Sequence, residues 1–192
     1  MGKKGEATGT RIRLVHKHRV DADMAAQLCI TMFYAKEMGM ELGWSVEQRY
    51  MQILKTKMMI AGGHSKMYVA DDPGGMPMGM VIVTKTSKPK IRRMEAITVF
   101  PPYRKMGLAK SLMAEGRAGG ELHSYAVPSA VQWHLANGFR QLGEQDEEGT
   151  VEMFTGNYKP EYKFDFAAPI PTPEDMRAMR ELGAMEEQHK PW

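Results

Sequence analysis

"FPPYRKMGLAKSLM" (100–113) joins the end of one apolar run to a stretch that reads as a helix over about 107–118. Two prolines and an aromatic residue come first, then the pair Arg104-Lys105, then a single glycine, Gly107. A helix N-terminus presents unpaired backbone N–H groups and a partial positive charge, so it attracts an anion. Arg104 and Lys105 add positive charge at that spot, and Gly107 removes a side chain so that a ligand can approach the backbone. Residues 104–109 therefore read as a phosphate cradle between a strand and a helix. No Gly-Lys-Ser/Thr follows and no G-x-G-x-x-G is present, which excludes a Walker loop and a dinucleotide fingerprint.

Working outward, "RRMEAITVF" (92–100) reads as the strand before the cradle, and Gly119-Gly120 ends the helix after it. Upstream, "RIRLVHKH" (11–18) alternates apolar and charged residues as a half-buried strand does. A helix is expected over 21–41, with Asp21 or Asp23 as its cap, and a second over 45–63, opened by the capping box Ser45 to Gln48. "KMYVADD" (66–72) and "PMGMVIVTKT" (77–86) flank the turn Asp72-Pro73-Gly74-Gly75 as a hairpin. Downstream come a strand at 122–127, a short helix at 129–139 stopped by Asn137-Gly138, and a final strand pair across "EQDEEG". The order is β-α-α-β-β-β-α-β-α-β-β, a mixed α/β layout without internal repeats.

The chain has 192 residues, enough for one domain with a real core. Its 26 Lys and Arg against 23 Asp and Glu leave a net charge of +3 spread along the sequence, without the basic patch of a nucleic-acid binder. The basic run Lys88–Arg93 reads as a solvated loop. The only cysteine, Cys29, lies in an apolar helix-like run and reads as a buried small hydrophobe, so neither an intramolecular disulfide nor a thiolate metal cluster is expected. His16, His18, His64 and His123 are scattered without ligand spacing, and no metal site is expected. Nineteen methionines point to a re-packable core or a soft interface. Residues 1–10 read as disordered, with no apolar signal region and no run near the about 18 apolar residues of a membrane span, so a cytoplasmic setting is expected.

The stretch "EAITVFPPYRKMGLAKSLM" resembles the signature of the GCN5-related N-acetyltransferase (GNAT) superfamily: a strand ending V-x-P, then Y-R-x-x-G-x-[GA], then an amphipathic helix. Val99-Phe100-Pro101, Tyr103, Arg104-Lys105-Met106-Gly107-Leu108-Ala109 match it without a gap. "SAVQWHLANGF", with Gly138-Phe139 after its short helix, resembles the second family motif. The resemblance covers 11 to about 155. It implies a mostly antiparallel sheet flanked by helices, with acetyl-CoA as co-substrate in a cleft between the strands at 94–100 and 122–127. It places the pyrophosphate on the amides of Arg104, Lys105, Met106, Gly107, Leu108 and Ala109, and the pantetheine arm along the backbone of Val99.

Acetyl transfer to an amine needs a base for the amine and an acid for the leaving thiolate. Strand alternation puts Glu95, Ile97 and Val99 on one face. Many family members carry an acidic residue at the Glu95 position, so Glu95 is the expected base. The family's usual tyrosine acid, four residues before the Gly of Gly-Phe, is His134 here, and imidazolium can donate near neutral pH. Tyr125 is the reserve acid, and Val127 stands where the family often has Asn. The expected function is N-acetylation of a primary amine, of a small molecule or a protein. The alternative is a weakly active or inactive fold serving as a component of a larger assembly. Trp44 and Trp133 read as core. Acceptor choice falls to the helices at 21–64, which carry no chemical code.

Beyond Gly156 the composition changes. "NYKPEYKFDFAAPIPTP" reads as extended chain, and Thr172-Pro173 with Asp175 opens a last amphipathic helix over about 173–187, with Met176, Met179, Leu182 and Met185 on one face. The layout is thus residues 11–156 as the acetyltransferase-like domain and 157–192 as a tail suited to lie across a protein partner or a second copy of the chain, making an oligomer.

Overall fold

The computed structural model describes residues 9–188, with side chains to Glu181; residues 1–8, and the side chains of Leu182 and Met185, lie outside the described residues. Seven strands form one sheet in the order β1-β2-β3-β4-β5-β7-β6. These are β1 (Arg11–Leu14), β2 (Ser65–Asp71), β3 (Pro77–Lys85), β4 (Ile91–Val99), β5 (Glu121–Ala126), β6 (Arg140–Gln145) and β7 (Val151–Phe154). Every pairing is antiparallel except β4 with β5. That sheet and its flanking helices are the mixed α/β architecture expected from the sequence.

The first helix runs as α1 (Met24–Thr31), a π-helical segment (Met32–Glu37) and α2 (Met38–Glu41). Asp23 caps it, its carboxylate accepting from Ala26 N at 3.1 Å. The π-turns re-aim side chains inside an otherwise regular helix, a feature frequent at functional sites. Helix α3 (Val46–Ala61) opens with the Ser45–Gln48 capping box. These helices cover one face of the sheet around Ile30, Ile60, Met67, Met80 and Ile82. Helix α4 (Leu108–Arg117) covers the other through Leu108, Leu112 and Met113. The short α5 (Val131–Ala136) follows a 3-10 turn at Pro128–Ala130 and ends at Asn137.

Two elements differ from the sequence reading. The first strand stops at Leu14 rather than at 18, because after Val15 N bonds Met67 O the chain turns into a 3-10 helix at Lys17–Arg19. β4 is not a regular strand. Ala96 pairs with Ile82 and Met94 with Val83, leaving Glu95 as an extra, unpaired residue. This is a β-bulge, and it shifts the alternation by one. Met94, Ile97 and Val99 pack toward α4, whereas Ala96 packs toward α1 and α3. Glu95 hydrogen-bonds Thr84 and so shares the α1/α3 face with Arg93, not the face of Ile97 and Val99.

The tail lies across its own chain. The Arg140 guanidinium donates to the carbonyls of Gly156 and Tyr158, Ser87 N donates to Lys163 O at 2.8 Å, and Phe166 stacks on His64 with ring centroids 4.2 Å apart. Helix α6 (Pro173–Gln188), capped by Thr172 and Asp175, then packs on α3 with Met179 buried. Met179→Ala is expected to cost about 2 kcal/mol, the low end for truncating a buried methionine. That lowers Tm by about 4–8 °C in a chain of this size, and differential scanning calorimetry checks it.

Candidate active site

β4 and β5 run as a parallel pair only from Ile91/Glu121 to Met94/Ser124. At the fork the Ser124 hydroxyl donates to the Met94 carbonyl at 3.2 Å. Beyond it the strands part, and a cavity of about 830 Å³ opens between them, bounded by the 104–110 loop and α5. A second cavity of about 610 Å³ adjoins it on the α1/α3 side, reaching Trp44, Gln52 and the β6–β7 turn at Asp146–Glu148. Met38, Met94, Glu95 and Tyr125 line both. A large ligand in the first cavity and a smaller one in the second would meet at Glu95 and Tyr125.

The loop before α4 is where the sequence places the phosphate cradle, and its backbone is unusual. Lys105 has φ 66° and Gly107 φ 81°, both left-handed. For lysine this conformation is strained, and such strain concentrates at functional sites. Its effect is to turn the backbone so that the amides of Lys105, Met106, Gly107, Leu108 and Ala109 donate to no protein acceptor among the described residues. A Cβ at Gly107 would meet nothing within 4 Å, so the space above the loop is open. Arg104, Lys105, Gly107, Leu108 and Ala109 line the cavity together with Lys110, while the Met106 side chain is exposed and only its backbone belongs to the cradle.

Arg104 does not point at this cradle. Its Nε donates to the Val99 carbonyl at 2.9 Å and its Nη2 pairs with Glu37 at 3.2 Å. The other oxygen of Glu37 accepts from Thr98 Oγ1 at 2.6 Å. One helical turn on, Glu41 accepts from Ser129 N at 2.9 Å and Ser129 Oγ at 2.5 Å. Two carboxylates of the first helix thus bridge the cavity mouth to its far walls. Sequence reasoning missed both, since a charged residue in a helix carries no spacing signal, and the π-helical segment that aims Glu37 was equally invisible.

Glu95 sits beside Arg93, whose Nε lies 3.7 Å away. Burial raises its pKa above the ordinary carboxylate range, against the opposing pull of Arg93 and the Thr84 hydrogen bond. The Arg93 guanidinium lies 4.1 Å from the centroid of the Tyr125 ring. Burial also holds the Tyr125 hydroxyl above its usual pKa, so it stays protonated. His134 is 4% exposed and lines the first cavity. Its Nδ1–H donates to Ala130 O at 2.9 Å, which leaves the lone pair on Nε2, an atom without a protein partner among the described residues. Burial lowers its pKa, so the imidazole is neutral near pH 7.

Trp133 and Val127 line the first cavity and Trp44 the second. Cys29 is fully buried, and burial pushes its thiol up to about 12. It is expected to resist iodoacetamide in the folded protein and to react on denaturation, which mass spectrometry of the alkylated chain checks.

The sheet order, the fork between β4 and β5 and the loop before α4 together define the GNAT fold. No protein-family model matches the sequence, and no curated protein matches it. Solved structures match its fold. An acetyltransferase from Corynebacterium glutamicum, described as histone acetyltransferase HPA2 and related acetyltransferase, has a TM-score of 0.59 at 15% identity, over 80% of this chain and 99% of that one. A GNAT-family acetyltransferase from Staphylococcus aureus Mu50 has a TM-score of 0.56 at 10% identity, over 75% and 98%. The PaiA N-acetyltransferase from Thermoplasma acidophilum, solved in complex with coenzyme A, has a TM-score of 0.53 at 15% identity, over 77% and 98%. No helix among the described residues is long and apolar enough to cross a membrane.

Proposed function

We propose that this chain transfers the acetyl group of acetyl-CoA to a primary amine, of a small molecule or a protein. The observation that carries the reading is the run of undonated amides, Lys105 to Ala109, opening into the cavity between the parted strands. Five amide donors with Arg104, Lys105 and Lys110 around them fit a pyrophosphate, and a structurally similar acetyltransferase holds coenzyme A. Arg104 swings from Glu37 and Val99 toward the phosphates, which frees the Val99 carbonyl for the pantetheine arm.

Acetyl-CoA supplies the activated thioester carbonyl. Glu95 takes the proton that the amine loses as its nitrogen bonds to that carbon. As the carbon–sulfur bond breaks, Tyr125 donates its hydroxyl proton to the sulfur, and Arg93 stabilises the phenolate. The proton on Glu95 then returns through solvent to Tyr125. Tyr125 takes the acid role in preference to His134, because His134 keeps its one proton on the Ala130 carbonyl and burial disfavours the imidazolium. His134 Nε2 instead offers an acceptor toward the cavity. Use of the strap at 157–166 within its own chain favours the enzyme over the assembly component. The test is a thiol-release assay with acetyl-CoA over a panel of primary amines. Amine-dependent release is expected, and binding of acetyl-CoA without release for any amine overturns the reading.

A further inference from the structure

The segment between Gly156 and α6 is an aromatic strap over the α1/α3 face of β4, β5 and β7, and it brings one hydroxyl to the candidate site. Tyr162 Oη lies 2.5 Å from His123 Nδ1, and His123 Nε2 lies 2.8 Å from Glu152 Oε1. His123 is buried, and desolvation together with the nearby Arg93 lowers its pKa, so it is neutral. The carboxylate of Glu152 fixes the imidazole proton on Nε2. Nδ1 is therefore the acceptor, and the Tyr162 hydroxyl donates to it. The phenolic oxygen still has lone pairs, and the Arg93 guanidinium reaches it. Arg93 is thus held from three sides: the Tyr125 ring at 4.1 Å, the Tyr162 oxygen, and Glu95 at a loose 3.7 Å.

A close guanidinium–carboxylate pair has N···O distances of about 2.7–2.9 Å. At 3.7 Å Arg93 has not closed on Glu95. We propose that Tyr162 is a positioning residue of the transfer reaction: through its hydroxyl the strap holds Arg93 over Tyr125 and off Glu95, leaving the Glu95 carboxylate free to take the amine proton. This rests on the reading of Glu95 as the base. The charged and titratable groups around Glu95 are Arg93 on its own strand, Tyr125 on β5, Tyr34 on the first helix, Tyr162 on the strap, and Asp146, Glu147 and Glu148 at the rim of the second cavity. Arg93 is the cation among them, so where it sits sets how basic Glu95 is.

Tyr162→Phe in the full chain keeps the ring and removes the oxygen. Arg93 then loses a partner in a desolvated place and closes on the nearest anion, Glu95. With ¹³C-labelled glutamate, NMR titration of the Glu95 carboxyl should move down by about half a pH unit or more. The acidic limb of the rate profile should follow, with kcat falling about threefold or more as the base weakens and KM for acetyl-CoA unchanged. Arg93→Met should raise the Glu95 titration above the wild type, and adding Tyr162→Phe to it should change nothing further. A strap that is only structural would lower Tm and leave the titration in place. A Glu95 titration unmoved or raised by Tyr162→Phe overturns the proposal. If no amine supports thiol release the functional reading fails, and the carboxyl titration still decides where Tyr162 acts.

Discussion

Gly107→Glu should abolish acetyl-CoA binding. Gly107 has φ 81°, where any L side chain is strained by about 1–2 kcal/mol. Open space surrounds its Cβ position, so the variant side chain has room and folding is retained. That room is the mouth of the amide cradle, and a carboxylate there meets the incoming phosphates. Repulsion of two unit charges at 4 Å is worth about 4 kcal/mol at an effective dielectric near 20, roughly 10³-fold in affinity. Gly107→Ala carries the same backbone strain without the charge and should lose far less. Equilibrium dialysis with labelled acetyl-CoA separates the two, and equal losses would show strain alone at work.

Glu95→Gln should lower kcat by about 10²–10⁴-fold, the usual cost of losing a positioned proton acceptor. The base works when ionised, and burial holds its pKa above the ordinary range, so the wild-type rate should rise with pH through that raised value. The Gln variant should lose this acidic limb. The same shift makes a stability prediction of opposite sign. The folded state binds the Glu95 proton more tightly than the unfolded chain, whose pKa is about 4.3. The stability this contributes is complete below the unfolded value and is lost as pH rises through the folded one. At neutral pH the charged side chain therefore costs stability even with Arg93 beside it, and Glu95→Gln should raise Tm while activity falls. A rate within about threefold of wild type, with its limb intact, would remove Glu95 from the chemistry.

What could be read from the sequence was what neighbours in the chain decide. The loop before α4 is local: prolines, two cations, a glycine and a helix start lie within ten or so residues, and the Ser45–Gln48 box and the Asp72–Gly75 turn are of the same kind. The bulge was not legible, because one extra residue leaves "RRMEAITVF" looking like an ordinary strand, and only pairing with β3 exposes it. It moved Glu95 to the face of Arg93 and Thr84, away from Ile97 and Val99. The strap's aromatic residues stood out in composition, but their partners, His64 and His123, lie far away in sequence. A segment rich in exposed-looking aromatics therefore read as a surface for another molecule, whereas Tyr162 and Phe166 pack on the chain itself. His134 is a different case. Its position in the motif suggested a proton donor, but burial and the Ala130 carbonyl bear on its protonation, and neither is visible before the helix is folded.

The proposed cradle can be tested residue by residue. Titrating ¹⁵N-labelled protein with acetyl-CoA should move the amide resonances of Lys105, Met106, Gly107, Leu108 and Ala109 strongly downfield as they begin to donate, with Val99 and Thr98 shifting as Arg104 leaves the Val99 carbonyl. Saturating acetyl-CoA that leaves the 105–109 amides unmoved, or that moves resonances only elsewhere on the fold, would contradict the assignment of this cleft.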